Sequence, residues 1–430
     1  MSERLMRGPL LHCLGEPDKD DAAIDYRPDA LLWLQNGLVH QMGDYESMVS
    51  ELTPAQVATV EDCRQYLMVP GFVDCHIHYP QTEMIGAYGT QLLDWLNTYT
   101  FPVEANFKDP LKAASVAKVF INQLLNNGTT TALVFCSVHP ESVDALFTEA
   151  QEHNMRIIAG KVMMDRNAPS DVLDTVQTSY DQSKQLIQRW HGVDRLQYAV
   201  TPRFAPTSTD AQLAAAGRLL AEHKGVYLHT HLSENVDEIE WVKALFPSAE
   251  NYLDVYDQAG LLGKRSVFAH GIYLCDQECE RLAATDSAIA HCPSSNLFMG
   301  SGLFPMQRLQ GYDIKMGMGT DVGGGTSFNM LQTLADSYKV QQLKGHNLSP
   351  EQSFYLATLG GAKTLDLSDR IGNFARGKEA DFLLLDPNAT DLLEFRTSHC
   401  EHWRDLIFVL QTMGDDRVIA QTNVMGVATQ

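Results

Sequence analysis

The chain has 430 residues, 44% of them hydrophobic, long enough for one large core and a smaller appendage. Its formal charge is −22, from 32 basic and 54 acidic residues, with no Lys/Arg cluster, which argues against a nucleic-acid polymer as partner. No apolar run nears the ~18 residues that span a bilayer, the N-terminus shows no basic-then-apolar leader pattern, and the eight scattered cysteines contain no C-x-x-C pair, so a soluble, cytoplasmic protein with reduced thiols and no membrane partner is expected.

The stretch from Ala30 to His40 reads as a hairpin, with Asn36-Gly37 as its turn. Next comes Val69-Pro70-Gly71-Phe72-Val73-Asp74-Cys75-His76-Ile77-His78, a buried strand ending in two histidines at i, i+2. Alternation puts His76 and His78 on one face, about 6.6 Å apart along the strand, and Ile77 on the other. Two such imidazoles can hold one metal ion; they can equally be hydrogen-bonded structural histidines. The segment 88–101 is aromatic-rich (Trp95, Tyr99, Phe101) and is expected to pack on the site with some lid character.

From about residue 68 to 371, apolar β-rich runs alternate with capped helical segments. The runs are Leu67–Cys75, Thr130–Cys136, Arg156–Met163, Leu196–Thr201, Gly225–His231, Ser266–His270, Ala288–His291 and Ile314–Gly319. Eight is the count of a (β/α)8 barrel. Between runs, Asp109-Pro110 reads as a helix start, Gly128 as its end, and Val116, Val119, Phe120 and Leu124 as its core-facing stripe. Thr209–Glu222 repeats the pattern. After the barrel, Gly377–Pro387 reads as a turn and strand, and Val409, Val418, Val424 and Val427 suggest further short strands. Both flanks would pair into one discontinuous β-sandwich domain. The expected organisation is 1–69 and 372–430 for that small domain and 70–371 for the barrel.

Active sites of such barrels form at the C-terminal strand ends. Those ends carry His76 and His78, then Arg203-Phe204, then His229-Thr230-His231-Leu232-Ser233-Glu234-Asn235, then His270, His291 and Asp321. Any one of them is ordinary loop chemistry. Together they point to a metal-dependent hydrolytic site.

This pattern, Gly71-Phe72-Val73-Asp74-x-His76-x-His78 followed by His231, His270 and Asp321, resembles the amidohydrolase superfamily. Gly377-Lys378-x-Ala380-Asp381 resembles a strand of its small domain. The resemblance narrows to the superfamily's guanine-deaminating branch through His76-Ile77-His78-Tyr79-Pro80-Gln81, Gly160–Arg166, Pro202-Arg203-Phe204-Ala205-Pro206 and His231-Leu232-Ser233-Glu234-Asn235.

The resemblance implies hydrolysis of guanine to xanthine and ammonia in purine catabolism, with one Zn²⁺ per chain, Fe²⁺ being a possible substitute. The ligands would be His76, His78, His231 and Asp321. Glu234 would shuttle a proton to the ring, Asp321 would move a proton from water to departing ammonia, and His270 would orient the attacking oxygen and stabilise charge. Gln81, Arg203, Phe204, His231 and Glu234 would bind the purine. The carboxylated lysine of some relatives belongs on the fourth strand, which here ends in Arg203; Lys161, in the third run, reads as structural. Relatives suggest a homodimer. Two other readings stay open: an aminohydrolase for another heterocycle (a pterin, a triazine, an adenosine derivative), and a non-catalytic scaffold.

Overall fold

The computed structural model describes residues 3–17, 23–89 and 92–429. Residues 1, 2 and 430, at the ends of the expected domains, and Thr90 and Gln91, in the expected covering segment, lie outside them.

Five strands come first: β1 (Glu3–Cys13), β2 (Ile24–Gln35), β3 (Leu38–Asp44), β4 (Glu61–Asp62) and β5 (Leu67–Pro70). The β2–β3 hairpin turns at Asn36 and Gly37, both left-handed (φ 53° and 78°), as an Asn-Gly turn requires. Nine parallel-paired strands follow: β6 (Phe72–His78), β7 (Thr129–Phe135), β8 (Arg156–Gly160), β9 (Val162–Met163), β10 (Gln197–Pro202), β11 (Tyr227–Leu232), β12 (Ser266–His270), β13 (Ala288–His291) and β14 (Lys315–Met318). Three more, β15 (Phe382–Leu385), β16 (Ile419–Val424) and β17 (Val427–Ala428), return to the first group. The order β17-β16-β15-β5-β1-β2-β3 makes one continuous mixed sheet from both termini, the expected small discontinuous β-domain.

The second sheet runs β14-β13-β12-β11-β10-β8-β7-β6. It closes just past β14, where Asp321 N–H donates to His76 O and His78 N–H donates to Val322 O, both at 2.9 Å. This is the eight-stranded barrel, with two expected runs divided. Lys161 breaks the third run, so β8 pairs with β7 and the stub β9 pairs only with β10.

The first run is also two strands. β5 belongs to the terminal sheet and β6 to the barrel, and the chain crosses between them at Gly71. A Cβ there would lie 2.2 Å from Thr130 Oγ1, so only glycine passes. The expected boundary at 69/70 thus falls inside β5.

Two other expectations fail for reasons of helical geometry. Val409 lies in the helix Trp403–Met413, where Ile407, Val409, Leu410 and Gln411 are buried; apolar residues three and four apart are helical, not strand, spacing. Val119 is 50% exposed. The buried face of Pro110–Asn126 centres on Ala113, Ala117, Phe120 and Leu124, which rotates Val119 toward solvent. The Asp109 cap holds, its side chain accepting from Leu111 N–H at 2.9 Å.

Arg195 and Arg156 tie the barrel to the terminal sheet. Arg195 bonds both Glu379 and Asp381, and Arg156 pairs with Glu379, all largely buried.

Candidate active site

Val73 and Cys75 point into the barrel's inner core, while Ile77 joins the outer core beneath the helices. A register shift between Asp74 and Ile77 changes the face and turns His76 and His78 into the barrel mouth. Asp74 secures the bend. It accepts from His76 N–H and Thr320 N–H at 3.1 Å each, and from the Thr320 hydroxyl. On β11 no such device is needed: Tyr227, His229 and His231 alternate with Leu228 and Leu232. Three mouth residues other than glycine hold left-handed backbone: Ser233 (φ 49°), His270 (φ 73°) and Asp321 (φ 51°). Such strain persists where surrounding contacts over-determine it, commonly at functional sites.

Every candidate site residue read from the sequence arrives in one place. His78, Gln81, Arg203, Phe204, His231, Glu234, His270 and Asp321 line one cavity, and His76 lies fully buried beside His78 and Asp321. Leu92, Trp95 and Leu96 add an apolar wall. That wall comes from the 88–101 segment, in which Leu96–Thr100 forms a π-helical turn. Tyr88, 80% exposed, takes no part.

The donor atoms converge on a point. His76 Nε2 lies 3.0 Å and His78 Nε2 3.3 Å from Asp321 Oδ1. His231 Nδ1 sits 2.7 Å from Arg203 O, and because a carbonyl only accepts, Nδ1 holds the proton and Nε2 presents a lone pair. That lone pair faces His78 Nε2 at 3.2 Å. His76 Nδ1 shares a 2.8 Å hydrogen bond with His229, leaving the buried Nε2 of His76 without a hydrogen-bond partner. Burial lowers the pKa of His76 and His231 and brings His78 to about 3, which favours the neutral rings that a metal ion binds. Three imidazole nitrogens and a carboxylate oxygen converging this closely are donor types that one metal ion takes. The set therefore fits a divalent metal of the zinc class. His76, His231 and His270 also offer nitrogens all within 4.8 Å of one another.

Glu234 and His270 flank this point. His270 Nε2 is 3.4 Å from Glu234 Oε2 and 3.7 Å from Asp321 Oδ2, while its Nδ1 meets Asn296 Oδ1 at 2.8 Å. Burial would lower His270, but the negative Glu234 and Asp321 outweigh it and raise its pKa. Burial raises Glu234, against the opposing charge of His270. Ser301 Oγ–H donates to Glu234 Oε1 at 2.8 Å, leaving Oε2 toward His270.

The amidohydrolase family model matches residues 67–428. Over 413 residues, 96% of this chain and 94% of the relative, the sequence is 54% identical to guanine deaminase of Escherichia coli (strain K12). The chain belongs to the amidohydrolase family, among the guanine deaminases. The solved E. coli guanine deaminase superposes on this amidohydrolase with a TM-score of 0.97 at 52% identity, covering 99% of each chain. A C. acetobutylicum guanine deaminase, solved with guanine in its active site, gives 0.90 at 26% identity over 100% of each.

Sequence reading of this amidohydrolase missed the residues that hold the site together. Glu104 accepts from Arg203 and Gln81; Asn296 and Ser301 orient His270 and Glu234. Their signal was faint: a lone Glu closing Phe101-Pro102-Val103-Glu104, and polar residues in a loop. His229 supports His76 through the hydrogen bond to Nδ1. Lys161 is fully buried against Asp174 and bonds Val162 O, away from the cavity lining. The Gly323-Gly324-Gly325 turn folds over Asp321, and a Cβ on Gly325 would meet Thr320 O at 1.8 Å.

Proposed function

We propose that this protein hydrolyses guanine to xanthine and ammonia, in cytoplasmic purine catabolism. The observation that carries the reading is the single cavity in which Gln81 and Arg203 face the His76–His78–His231–Asp321 cluster. Relatives named guanine deaminase, one of them solved with guanine bound, support it.

His76, His78, His231 and Asp321 would hold one Zn²⁺, with Fe²⁺ able to replace it. Zinc, when bound, supplies Lewis acidity that brings the pKa of water toward about 7. Asp321 Oδ2 takes the proton of the attacking water and later returns it to the leaving amine. Glu234 Oε2, held by the Ser301 bond at Oε1, delivers a proton to a ring nitrogen beside the amino-bearing carbon. Its raised pKa suits a carboxyl that must carry that proton. His270 stabilises negative charge as it develops on the attacked carbon's substituents. Arg203 donates to the purine's acceptors, Gln81 reads a donor–acceptor edge, and Phe204 and His231 offer faces to the ring.

We also read the chain as a homodimer, as its family resemblance implies, and place the domain boundary at Gly71. All eight cysteines are free, which supports a reducing compartment.

The test is direct. Purified protein with guanine should lose guanine absorbance and release ammonia. Adenine, with an amine where guanine has O6, should react slower by about 10⁴ or more, because a polar site rejects a mismatched edge. Comparable turnover of adenine, or none of guanine, overturns the reading in favour of another aminohydrolase.

A further inference from the structure

The reaction above gives no role to Glu104, a side chain with 0% exposure at the end of the short helix Phe101–Glu104. Its two oxygens accept from Arg203 Nη1 at 3.0 and 2.8 Å. Its Oε1 also accepts from Gln81 Nε2 at 3.2 Å. The carboxylate thus sits between the two side chains that read the purine, which come from different strand ends.

Its effect on Gln81 follows from donor and acceptor counting. At the other end of that amide, Gly323 N–H donates to Oε1 at 3.1 Å. A flipped amide would set its oxygen against the Glu104 carboxylate and its NH₂ against the Gly323 N–H. Both contacts would be repulsive, so Gln81 holds a single orientation. It keeps one N–H and one lone pair for the cavity, fewer than a free amide offers.

Arg203 is fixed by the same helix. Glu104 occupies Nη1, and the guanidinium lies over the Phe101 ring, 5.4 Å from its centroid. Its plane is therefore set before substrate arrives, and Nη2 and Nε remain for a ligand. The same stretch of chain supplies Leu92, Trp95 and Leu96 to the cavity wall. One continuous stretch of chain thus supplies that wall and holds the reading pair.

We infer that Glu104 is a positioning residue for substrate selectivity: it couples the seating of segment 92–104 to the orientation of Gln81 and Arg203, and so decides which heterocycle edge the cavity accepts. The inference rests on the guanine reading. Glu104 acts through its neighbours and does not touch the reacting atoms.

The experiment compares wild type with Glu104→Gln, measuring kcat and KM for guanine and for adenine, with zinc content and thermal midpoint. The amide introduced by that substitution can present an NH₂ to Gln81 and so releases the flip. KM for guanine should rise by about tenfold or more with kcat within about threefold, and the guanine-to-adenine ratio of kcat/KM should fall by a similar factor. Zinc content should not change. Glu104→Asp keeps the buried charge but cannot span both partners. It should shift KM and selectivity in the same direction, and it stands in if Glu104→Gln does not fold.

Unchanged KM and selectivity in a folded variant overturn the inference. So does a uniform loss of kcat at constant KM, the mark of a merely structural role. If neither variant folds, Glu104 serves the fold and the inference fails too. Wild type that leaves guanine untouched refutes the guanine reading itself, and the inference falls with it.

Discussion

Replacing Arg203 with lysine keeps the charge and removes the fork. In the native site Nη1 satisfies the buried Glu104 carboxylate while the rest of the guanidinium stays available. A lysine has one nitrogen on a flexible stem. Because Glu104 is fully buried, that nitrogen goes to it, since a buried carboxylate without a partner costs several kcal/mol. The purine then loses at least one charge-assisted hydrogen bond, worth about 1.5–3 kcal/mol. At about 1.4 kcal/mol per decade, kcat/KM for guanine should fall by roughly 10- to 150-fold. Initial rates of guanine depletion measure this, alongside metal analysis and a thermal midpoint, both expected to match wild type. A change under about threefold in a folded, metal-replete Arg203→Lys would refute the assignment of Arg203 to purine reading.

Stripping the protein with a chelator should abolish turnover and Zn²⁺ should restore it; full rate in a preparation shown metal-free by elemental analysis would contradict the ligand assignment. Arg195→Met leaves Glu379 and Asp381 buried with less compensation, so urea unfolding should show a loss of about 3–5 kcal/mol with guanine KM unchanged, and a loss below about 1 kcal/mol would count against the clamp. Burial raises the Glu238 carboxyl from 4.5 to about 7. The folded state therefore binds that proton more tightly than the unfolded one. Its stabilising contribution is full below pH 4.5 and is lost as pH rises through about 7. The stability of wild type relative to Glu238→Gln should accordingly decline across that window, and a flat difference would contradict the sign.

The candidate site side chains were legible in the sequence because strand ends announce themselves. Histidine and aspartate after short apolar runs need no knowledge of distant contacts, and His76, His78, His231, His270 and Asp321 fell where the barrel rule put them. The devices that aim those side chains were not legible. The register shift at Asp74–Ile77 and the crossing at Gly71 each depend on a neighbour far along the chain, Thr320 and Thr130. Glu104 was invisible for the same reason, since its partners lie 23 and 99 residues away. Val409 misled because a valine favours strands by propensity, while its neighbours Ile407 and Leu410 make a buried helical face.

Water-driven removal of an amino group from guanine at the His76–His78–His231–Asp321 site leaves an isotopic mark. Turnover in H₂¹⁸O reads that mark, with mass analysis of the purine product and ammonia counted in parallel. The expected products are xanthine carrying one ¹⁸O at the carbon that bore the amine and one ammonia per xanthine, with neither formed by metal-free protein. Xanthine without the label, or ammonia without xanthine, would contradict hydrolytic deamination at this site.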